Sequence, residues 1–358
     1  MDRKWTEKEA LDWYQAHGWL RGCNFIGSDC ANRRDMWQDH EHEAHLATAD
    51  RELALCRETG FNTVRLILDF DVWAQEPDSF LNILEQYLCL CDKHGQKVML
   101  VLACEAELCR GEYMLKPLGP QSYALGYHQG RFPLSEAQKA LPPVHPLETE
   151  YADRYLEMVR AVVTRYARDK RVLYWNVYNE PGILLGERSL PLLDKLFETV
   201  RACDPMQPLC ADLWQLGEDG KPKNPVAQKA LDLSDVISWH CYAPYESFVI
   251  QYERVKAFGR PILLTEWLNR INHSEVNEIY PLLYLERVAC WCWGFVAGKT
   301  QTYEPWDSLW DQYDAGTGAR YDFTRWQHDL FRPNLRPYDP EEIRIVKKYN
   351  ALAHEAGR

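Results

Sequence analysis

The chain has 358 residues, a length that fits either two average domains or a single large barrel. Hydrophobic residues make up 46% of the sequence, which is enough for a large buried core. The net charge of −12 argues against nucleic acid as a partner, because a protein that binds a phosphate backbone needs a basic surface.

The N-terminal segment predicts a short helix and no targeting signal. Thr6 and Glu9 have the spacing of a capping box, and the residues around them lack the apolar core of a secretory signal. No window approaches the roughly 18 apolar residues that a membrane span requires, so we expect no membrane partner. The twelve cysteines are dispersed and form no CxxC pair. We interpret them as reduced thiols and expect a cytoplasmic protein.

Eight short apolar segments have the composition of strands that are buried on both faces. Each is rich in β-branched or aromatic residues, as in a parallel sheet. They span residues 23–27, 63–68, 97–104, 172–180, 208–214, 236–242, 261–267 and 290–296.

Amphipathic helical segments separate these strands, so that strand and helix alternate along the whole chain. This pattern predicts an α/β fold, a (β/α)8 TIM barrel that forms a single domain over residues 1–358. A doubly wound open sheet would alternate in a similar way. However, no GxGxxG motif follows the first strand, so the usual nucleotide site of that fold is missing.

Two connections are longer than an ordinary barrel loop. Residues 105–147 follow the third strand and residues 297–339 follow the eighth. Both leave the C-terminal ends of strands, the face on which barrels carry their active sites. Loops of this length in a compact domain are usually functional, so we expect them to shape the site.

Polar and aromatic residues stand at the predicted strand ends. They are Arg65 in strand two, Asn179 and Glu180 in strand four, His240 and Tyr242 in strand six, Glu266 in strand seven and Trp293 in strand eight. Glycoside hydrolysis needs one carboxylic acid to protonate the leaving oxygen and a second carboxylate to attack the sugar or activate water. Glu180 and Glu266, on opposite sides of the barrel mouth, fit this pair.

Four segments carry a family resemblance: NVYNEPG, SWHCY, LLTEW and WCWGFVAGK. Together they resemble clan A of the glycoside hydrolases, and within it the family 5 group of cellulases and mannanases, over essentially the whole chain. The resemblance implies a retaining mechanism with Glu180 as acid/base and Glu266 as nucleophile. It also implies that Asn179 holds the sugar 2-hydroxyl, Arg65 keeps Glu266 ionised, Tyr242 hydrogen-bonds Glu266, His240 lines the acid/base side and Trp293 forms a sugar platform.

Further candidates for sugar contacts lie in the loops. Asn32 and Trp37 follow strand one, and Lys299, Gln301 and Trp306 follow strand eight. An aromatic ring beside hydrogen-bonding groups suits a pyranose, which has an apolar face and a rim of hydroxyls. The alternative for the loop tryptophans is that they only pack the loop.

The segment after strand three departs from the family pattern. Family 5 enzymes often have a histidine there, whereas this chain has Glu105 and Glu107. We expect these acids to bind sugar hydroxyls or an amino group, or to pair with Arg110. The departure makes it doubtful that the substrate is that of a cellulase.

The sequence indicates neither a metal nor another cofactor. The segment HEHEAH at 40–45 lacks HExxH spacing, and we interpret His42 and His45 as part of a solvated helix start with at most adventitious metal binding. No GxSxG motif supports a serine hydrolase, and no Walker loop supports a nucleotidase.

These observations predict a retaining β-glycosidase that binds an oligosaccharide. A cytoplasmic location and two long loops favour an exo-acting enzyme on short oligosaccharides, with β-mannosides ahead of β-glucosides. The alternatives are an endo-acting glucanase or mannanase, a transglycosylase, and a barrel that binds sugar without cleaving it. The oligomeric state does not follow from the sequence.

Overall fold

The computed structural model of the protein describes residues 3–106, 108–217 and 220–357. Eight parallel strands form a closed barrel. The strands are β1 (Arg21–Asn24), β2 (Thr63–Ile67), β3 (Lys97–Val101), β4 (Val172–Tyr178), β5 (Leu209–Leu213), β6 (Ile237–His240), β7 (Ile262–Trp267) and β8 (Ala289–Cys292). Each strand pairs with its neighbours in sequence, and β1 pairs with both β2 and β8 to close the barrel. The predicted (β/α)8 architecture is therefore confirmed.

Helices connect the strands and surround the barrel. They are α1 (Glu7–His17), α2 (Arg33–Trp37), α3 (His42–Thr59), α4 (Phe70–Gln75), α5 (Pro77–Lys93), α6 (Glu136–Lys139), α7 (Ala152–Tyr166), α8 (Ser189–Ala202), α9 (Pro225–Leu233), α10 (Tyr245–Lys256), α11 (Val276–Leu285), α12 (Asp307–Asp314) and α13 (Pro340–Glu355). A two-residue antiparallel ribbon pairs Cys109–Arg110 with Pro143–Val144. In the described part of the chain, no helix combines the length and apolar character needed to cross a bilayer.

Several strands end earlier than their apolar composition predicts. The segment predicted at 97–104 leaves the sheet after Val101, and the segment predicted at 290–296 leaves it after Cys292. Beyond these points the backbone diverges towards the loops of the barrel mouth. Only an isolated bridge between Cys104 and Asn179 continues the pairing of β3 with β4. Residues at the barrel mouth are therefore still buried although they no longer pair with a neighbouring strand.

Helix α1 packs against residues of the barrel interior. The capping box of Thr6 and Glu9 that begins it is present, as the sequence predicts. Ala10 of α1 is buried in a cluster with Tyr174 and Trp291, two large side chains of the barrel strands. Trp13 adds an edge-to-face contact with Tyr174, with ring centroids 6.2 Å apart.

A buried ion pair fastens the β8 loop and the last helix to the barrel. Arg270, just beyond β7, donates from Nη2 to Glu342 Oε2 over 2.6 Å, and Nε donates to Oε1 over 2.8 Å. The same guanidinium donates to the carbonyl oxygens of His328 and Asp329 in the β8 loop. Both side chains of the pair are withdrawn from solvent, so removal of either partner leaves the other charge buried.

We therefore expect Glu342→Ala to destabilise the protein by about 3–5 kcal/mol, because Arg270 would keep its charge without a counter-ion. Glu341→Ala is the matched control: Glu341 is the preceding residue in the same helical turn, and its ion pair with Arg344 is solvent-exposed. Its loss is expected to cost about 0–1 kcal/mol. Urea unfolding followed by tryptophan fluorescence measures both values, and equal losses would contradict the anchoring role of Glu342.

Candidate active site

A cavity of about 550 Å³ opens at the C-terminal ends of the barrel strands. Several residues that the sequence singled out share its lining: Asn32, Arg65, Asn179, Glu180, Tyr242, Glu266, Trp293 and Trp306. The barrel closure brings these positions together from strands and loops that are far apart in the chain.

Glu180 and Glu266 face each other within this cavity. One carboxylate oxygen of each, together with a ring nitrogen of His240, lies within 4.8 Å of the others. Carboxyl groups about 5–5.5 Å apart are typical of retaining glycosidases, whereas inverting enzymes need about 6.5–9.5 Å. The close approach of the two carboxylates therefore fits a retaining mechanism.

The backbone at Glu180 has the left-handed conformation, with a φ of 44°. This conformation is uncommon for a residue other than glycine and is often found at functional sites. The backbone N–H of Glu180 donates to Asp212 Oδ2 over 3.3 Å. The turn ends β4 abruptly and directs the carboxylate of Glu180 into the cavity instead of along the sheet.

Arg65 lies fully buried beneath the cavity and joins four side chains. Its Nη1 donates to Glu266 Oε1 over 2.8 Å and to Asn24 Oδ1 over 2.7 Å. Its Nη2 donates to Asn179 Oδ1 over 2.5 Å and to Asp212 Oδ2 over 3.0 Å. Burial lowers the pKa of Arg65, but the charges of Asp212 and Glu266 outweigh it, so the pKa rises above its ordinary value. Arg65 is thus a permanent cation under Glu266.

The second oxygen of Glu266 accepts a hydrogen bond from Tyr242. The phenol Oη lies 2.7 Å from Glu266 Oε2, and burial raises the pKa of Tyr242 well above its ordinary value. The Tyr242 backbone is held in turn by Asn272, whose Nδ2 donates to its carbonyl oxygen over 2.9 Å. Glu266 is therefore oriented by one charged donor and one neutral donor.

His240 bridges the two glutamates and the floor of the site. Its Nδ1 lies 2.7 Å from Glu180 Oε1 and 3.5 Å from Glu266 Oε2, and its Nε2 lies 3.3 Å from Asp212 Oδ2. Burial lowers the pKa of His240, but the negative charges of Glu266 and Asp212 raise it more, to about 10. At neutral pH the ring is therefore an imidazolium, and it lies between the carboxyl groups of Glu180, Glu266 and Asp212.

Opposing influences act on Glu266 itself. Burial raises its pKa most strongly, the charge of His240 lowers it, and nearby Glu180 raises it. The net shift is upward, although Arg65 contributes a lowering effect. The ionised form of Glu266 thus depends on the cations beside it.

Asp212 is a site residue that the strand-end analysis missed. It lies inside β5, is buried, and accepts hydrogen bonds from the side chains of Arg65, Asn176 and Ser238. Although burial raises its pKa, His240 and Arg65 hold it well below its ordinary range. The signal was present in the sequence, because a lone aspartate within a strand buried on both faces needs a charged partner.

Three of the loop and platform candidates reach the cavity. Trp293 follows β8 directly, and the next residue, Gly294, has a φ of 76°. A Cβ on Gly294 would lie 2.4 Å from Asp329 Oδ1, so only glycine permits this close turn below the β8 loop. Asn32 caps helix α2 and also lines the cavity, as does Trp306.

Two other candidates do not reach the cavity. Trp37 is fully buried, packs against Phe80 and Tyr87, and its Nε1 donates to the carbonyl oxygen of Ile67. Glu105 is also fully buried and does not line the cavity. Glu105 instead accepts hydrogen bonds from the side chains of Tyr178 and Ser189 and from the backbone N–H groups of Gly182, Leu184 and Leu185. Its companion in the sequence analysis, Glu107, lies outside the described residues.

Gln301 joins the two long loops, and Lys299 joins the β8 loop to the loop after β1. Gln301 is buried, its Oε1 accepts from the Gly126 N–H over 2.8 Å, and its Nε2 donates to Ala124 O over 2.7 Å. The backbone of Lys299 donates to Ser28 O over 2.9 Å. Both residues therefore act on loop structure in this molecule, and neither side chain lines the cavity.

A second pair of contacts ties the same loops nearer to the cavity. Trp306 Nε1 donates to His128 Nε2 over 3.2 Å, and His128 Nδ1 contacts Glu304 O at 2.8 Å. Burial lowers the pKa of His128 to about 3, so the ring is neutral and its Nε2 can accept from the indole. Trp306 also packs edge-on against Tyr242, with ring centroids 4.9 Å apart. The loops after β3 and β8 thus meet directly above Tyr242.

Among the residues that the structure describes, two groups of side chains approach the spacing of metal ligands. One is Glu180, His240 and Glu266, but a histidine with a raised pKa carries the proton that a metal would have to displace. The other is Asp29, Cys30 and His45, where burial keeps the Cys30 thiol protonated. His45 and His42 are both buried, so the predicted solvated start of helix α3 is wrong: the ring of His45 pairs with Asp29 over 3.0 Å.

Comparison with known proteins gives the family. The sequence model of the family described as cellulase (glycosyl hydrolase family 5) matches residues 24–286. No curated protein matches the chain.

Solved structures share the fold at low sequence identity. GH5_18 from Streptomyces cattleya, in complex with GlcNAc, is 15% identical, with a TM-score of 0.57 over 94% of this chain and 80% of its own. An exo-β-1,4-mannosidase from Opitutaceae bacterium strain TAV5 is 16% identical, with a TM-score of 0.57 over 94% of this chain and 60% of its own. A family 5 mannosidase from Rhizomucor miehei is 13% identical, with a TM-score of 0.55 over 94% of both chains.

The family match covers well over half of the chain and includes β4 with Glu180 and β7 with Glu266. Such glycosidases act on carbohydrate, and family 5 members typically retain the anomeric configuration. The protein is therefore a retaining O-glycosyl hydrolase that belongs to glycoside hydrolase family 5.

Proposed function

We propose that the protein is an exo-acting β-glycosidase in which Glu180 is the acid/base and Glu266 is the nucleophile. The observation that carries this proposal is the pair of facing carboxylates at the barrel mouth, with His240 in contact with both. Of the two, Glu266 is the one oriented by Arg65 and Tyr242, as attack in a fixed direction requires.

The two carboxylates would act in two displacements. In the first, an oxygen of Glu266 bonds to the anomeric carbon, the bond to the leaving oxygen breaks, and Glu180 gives that oxygen its proton. In the second, Glu180 takes a proton from water, whose oxygen bonds to the anomeric carbon and releases Glu266. Each displacement inverts the configuration of the anomeric carbon, so the two displacements together retain it.

His240 supplies a positive charge that both steps use. Its imidazolium contacts Glu180 Oε1 and lies near Glu266 Oε2, with Asp212 on the opposite ring nitrogen. Negative charge moves from Glu266 to Glu180 during the first displacement. A cation between them stabilises the negative charge on either carboxylate, before and after the displacement.

The exo-action rests on the two long loops. Hydrogen bonds of Gln301 and of the Trp306–His128 pair join the β3 loop to the β8 loop. We infer that this joined wall beside Tyr242 would admit the end of a sugar chain and would obstruct a chain that passes through the site. A cytoplasmic location, which we predict from the sequence alone, would also fit short substrates better than polymers.

The choice of sugar rests on the names of proteins that share the fold. Three solved structures with this fold are mannosidases by name or hold a mannoside: the Opitutaceae and Rhizomucor proteins, and a Streptomyces GH5_18 variant with Manβ1-4GlcNAc. Because these structures share the fold of this chain and their names include mannosides, we rank β-mannosides first and β-glucosides second. A transglycosylase would share the same intermediate and differ only in the acceptor.

Product analysis tests the mode of action. The protein is expected to release single sugars, initially as the β anomer, from β-1,4-manno- or gluco-oligosaccharides or from Manβ1-4GlcNAc, as followed by NMR. The Glu266→Ala variant is the inactive control. Mixed internal fragments would replace the exo assignment with an endo-acting enzyme. Cleavage of none of these substrates by the native protein would remove the basis for the proposed sugars.

The roles of the two glutamates are separable by azide rescue. With an activated aryl glycoside, Glu266→Ala should be inactive until azide enters the vacated space and forms the α-glycosyl azide. Glu180→Ala should still form the covalent intermediate, and azide should convert it to the β-glycosyl azide. Loss in Glu180→Ala should be about 10²–10⁴-fold with alcohol leaving groups and much smaller with aryl ones. The opposite stereochemistry in the two variants would exchange the assigned roles.

The charge on His240 predicts a pH-dependent stability. The folded-state pKa of about 10 exceeds the ordinary 6.5, so the stabilisation is complete below about pH 6.5 and is lost as pH rises through 10. Unfolding in urea at several pH values should show the difference between native protein and His240→Gln shrinking over this range. A difference that stays constant with pH would show that His240 is neutral in the folded protein.

A further inference from the structure

The loop that follows Glu180 presents two large aliphatic side chains to solvent. Ile183 is 41% exposed and Leu184 is 36% exposed, and both line the cavity together with Glu180. Large aliphatic groups are not needed for solubility, and their exposure leaves hydrophobic stabilisation unused. Exposed apolar groups at a cavity rim are typical of a surface that a ligand covers.

The loop is held rigidly in this position from below. Buried Glu105 accepts the backbone N–H groups of Gly182 and Leu184 over 2.9 and 2.8 Å, and that of Leu185 over 2.9 Å. These hydrogen bonds fix the turn, because breaking any of them would deprive a buried carboxyl group of one of its donors. Ile183 and Leu184 are therefore exposed because the fixed backbone of the loop places them at the surface, and not because the loop frays.

A tryptophan extends the same apolar surface. Trp214, which follows β5, also lines the cavity, and its Nε1 donates to the carbonyl oxygen of Pro181 over 3.2 Å. This bond occupies the only polar atom of the indole. The side chain thus offers the cavity an apolar face beside Ile183 and Leu184.

The position of this surface identifies what it contacts. Glu180 must reach the oxygen that links the sugar to the leaving group, so side chains on its own loop lie beside the leaving group. We propose that Ile183, Leu184 and Trp214 form an apolar leaving-group site, so that alkyl and aryl β-glycosides are substrates alongside short oligosaccharides. This inference rests on the proposed role of Glu180 and extends it to the chemistry of the aglycone.

A homologous series of alkyl glycosides tests the inference. Ethyl to hexyl β-mannosides, with the matching β-glucosides, have leaving alcohols of similar basicity and differ in apolar area. In the native protein, kcat/KM should rise about two- to fourfold for each added methylene, because a buried methylene contributes about 0.8 kcal/mol. In the double variant Ile183→Asn/Leu184→Asn, this rise should fall to less than about 1.5-fold per methylene, since partial contact with Trp214 remains.

Ile250→Asn is the matched control. Ile250 is 53% exposed on helix α10 and does not line the cavity, so the dependence on chain length should stay that of the native protein. A flat dependence in the native protein, with hydrolysis of the ethyl glycoside, would overturn the inference and leave the proposed function intact. The same holds if the double variant keeps the native dependence. Hydrolysis of no alkyl, aryl or oligosaccharide glycoside would overturn both.

Discussion

A guanidinium group enclosed in a barrel needs partners on nearly every side, because burial removes the water that would solvate its charge. Arg65 meets this need with two carboxylates, Glu266 and Asp212, and two amides, Asn24 and Asn179. All four partners are thereby fixed in direction. The position of Glu266 and the orientation of Asn179 therefore both depend on hydrogen bonds from the buried guanidinium of Arg65.

A second cation completes the arrangement. His240 contacts the carboxyl groups of Glu180, Asp212 and Glu266, and Arg65 contacts two of the three, Asp212 and Glu266. Asp212 contacts both cations through the same oxygen, Oδ2, which lies 3.0 Å from Arg65 Nη2 and 3.3 Å from His240 Nε2. In the proposed mechanism, one negative charge moves between Glu266 and Glu180 beside fixed cations, which replace the rearrangement of solvent that would otherwise raise the barrier.

The loops around this network are also organised by buried polar groups. Glu105 gathers the backbone of the β4 loop, Gln301 joins the β3 and β8 loops, and Arg270 ties the β8 loop to the last helix. Glu105 and Gln301 were candidates for the site because they are polar and lie beyond strand ends. Their full burial shows a structural role, and the hydrogen bonds of Glu105 to the β4 loop leave Ile183 and Leu184 facing the cavity.

The sequence by itself determined the alternation of eight strands and helices, and thus the barrel, because apolar periodicity is a local property. It also located Glu180 and Glu266, since strand ends in such a barrel converge on one mouth. Only the tertiary structure decided which polar loop residues reach the cavity. Glu105 and Trp37 are polar or aromatic residues of segments beyond strand ends, as Asn32 and Trp306 are. In the folded protein, the first two are buried away from the cavity and the other two line it. Asp212 was missed because its function depends on Arg65 and His240, two residues of other strands that only barrel closure brings to it.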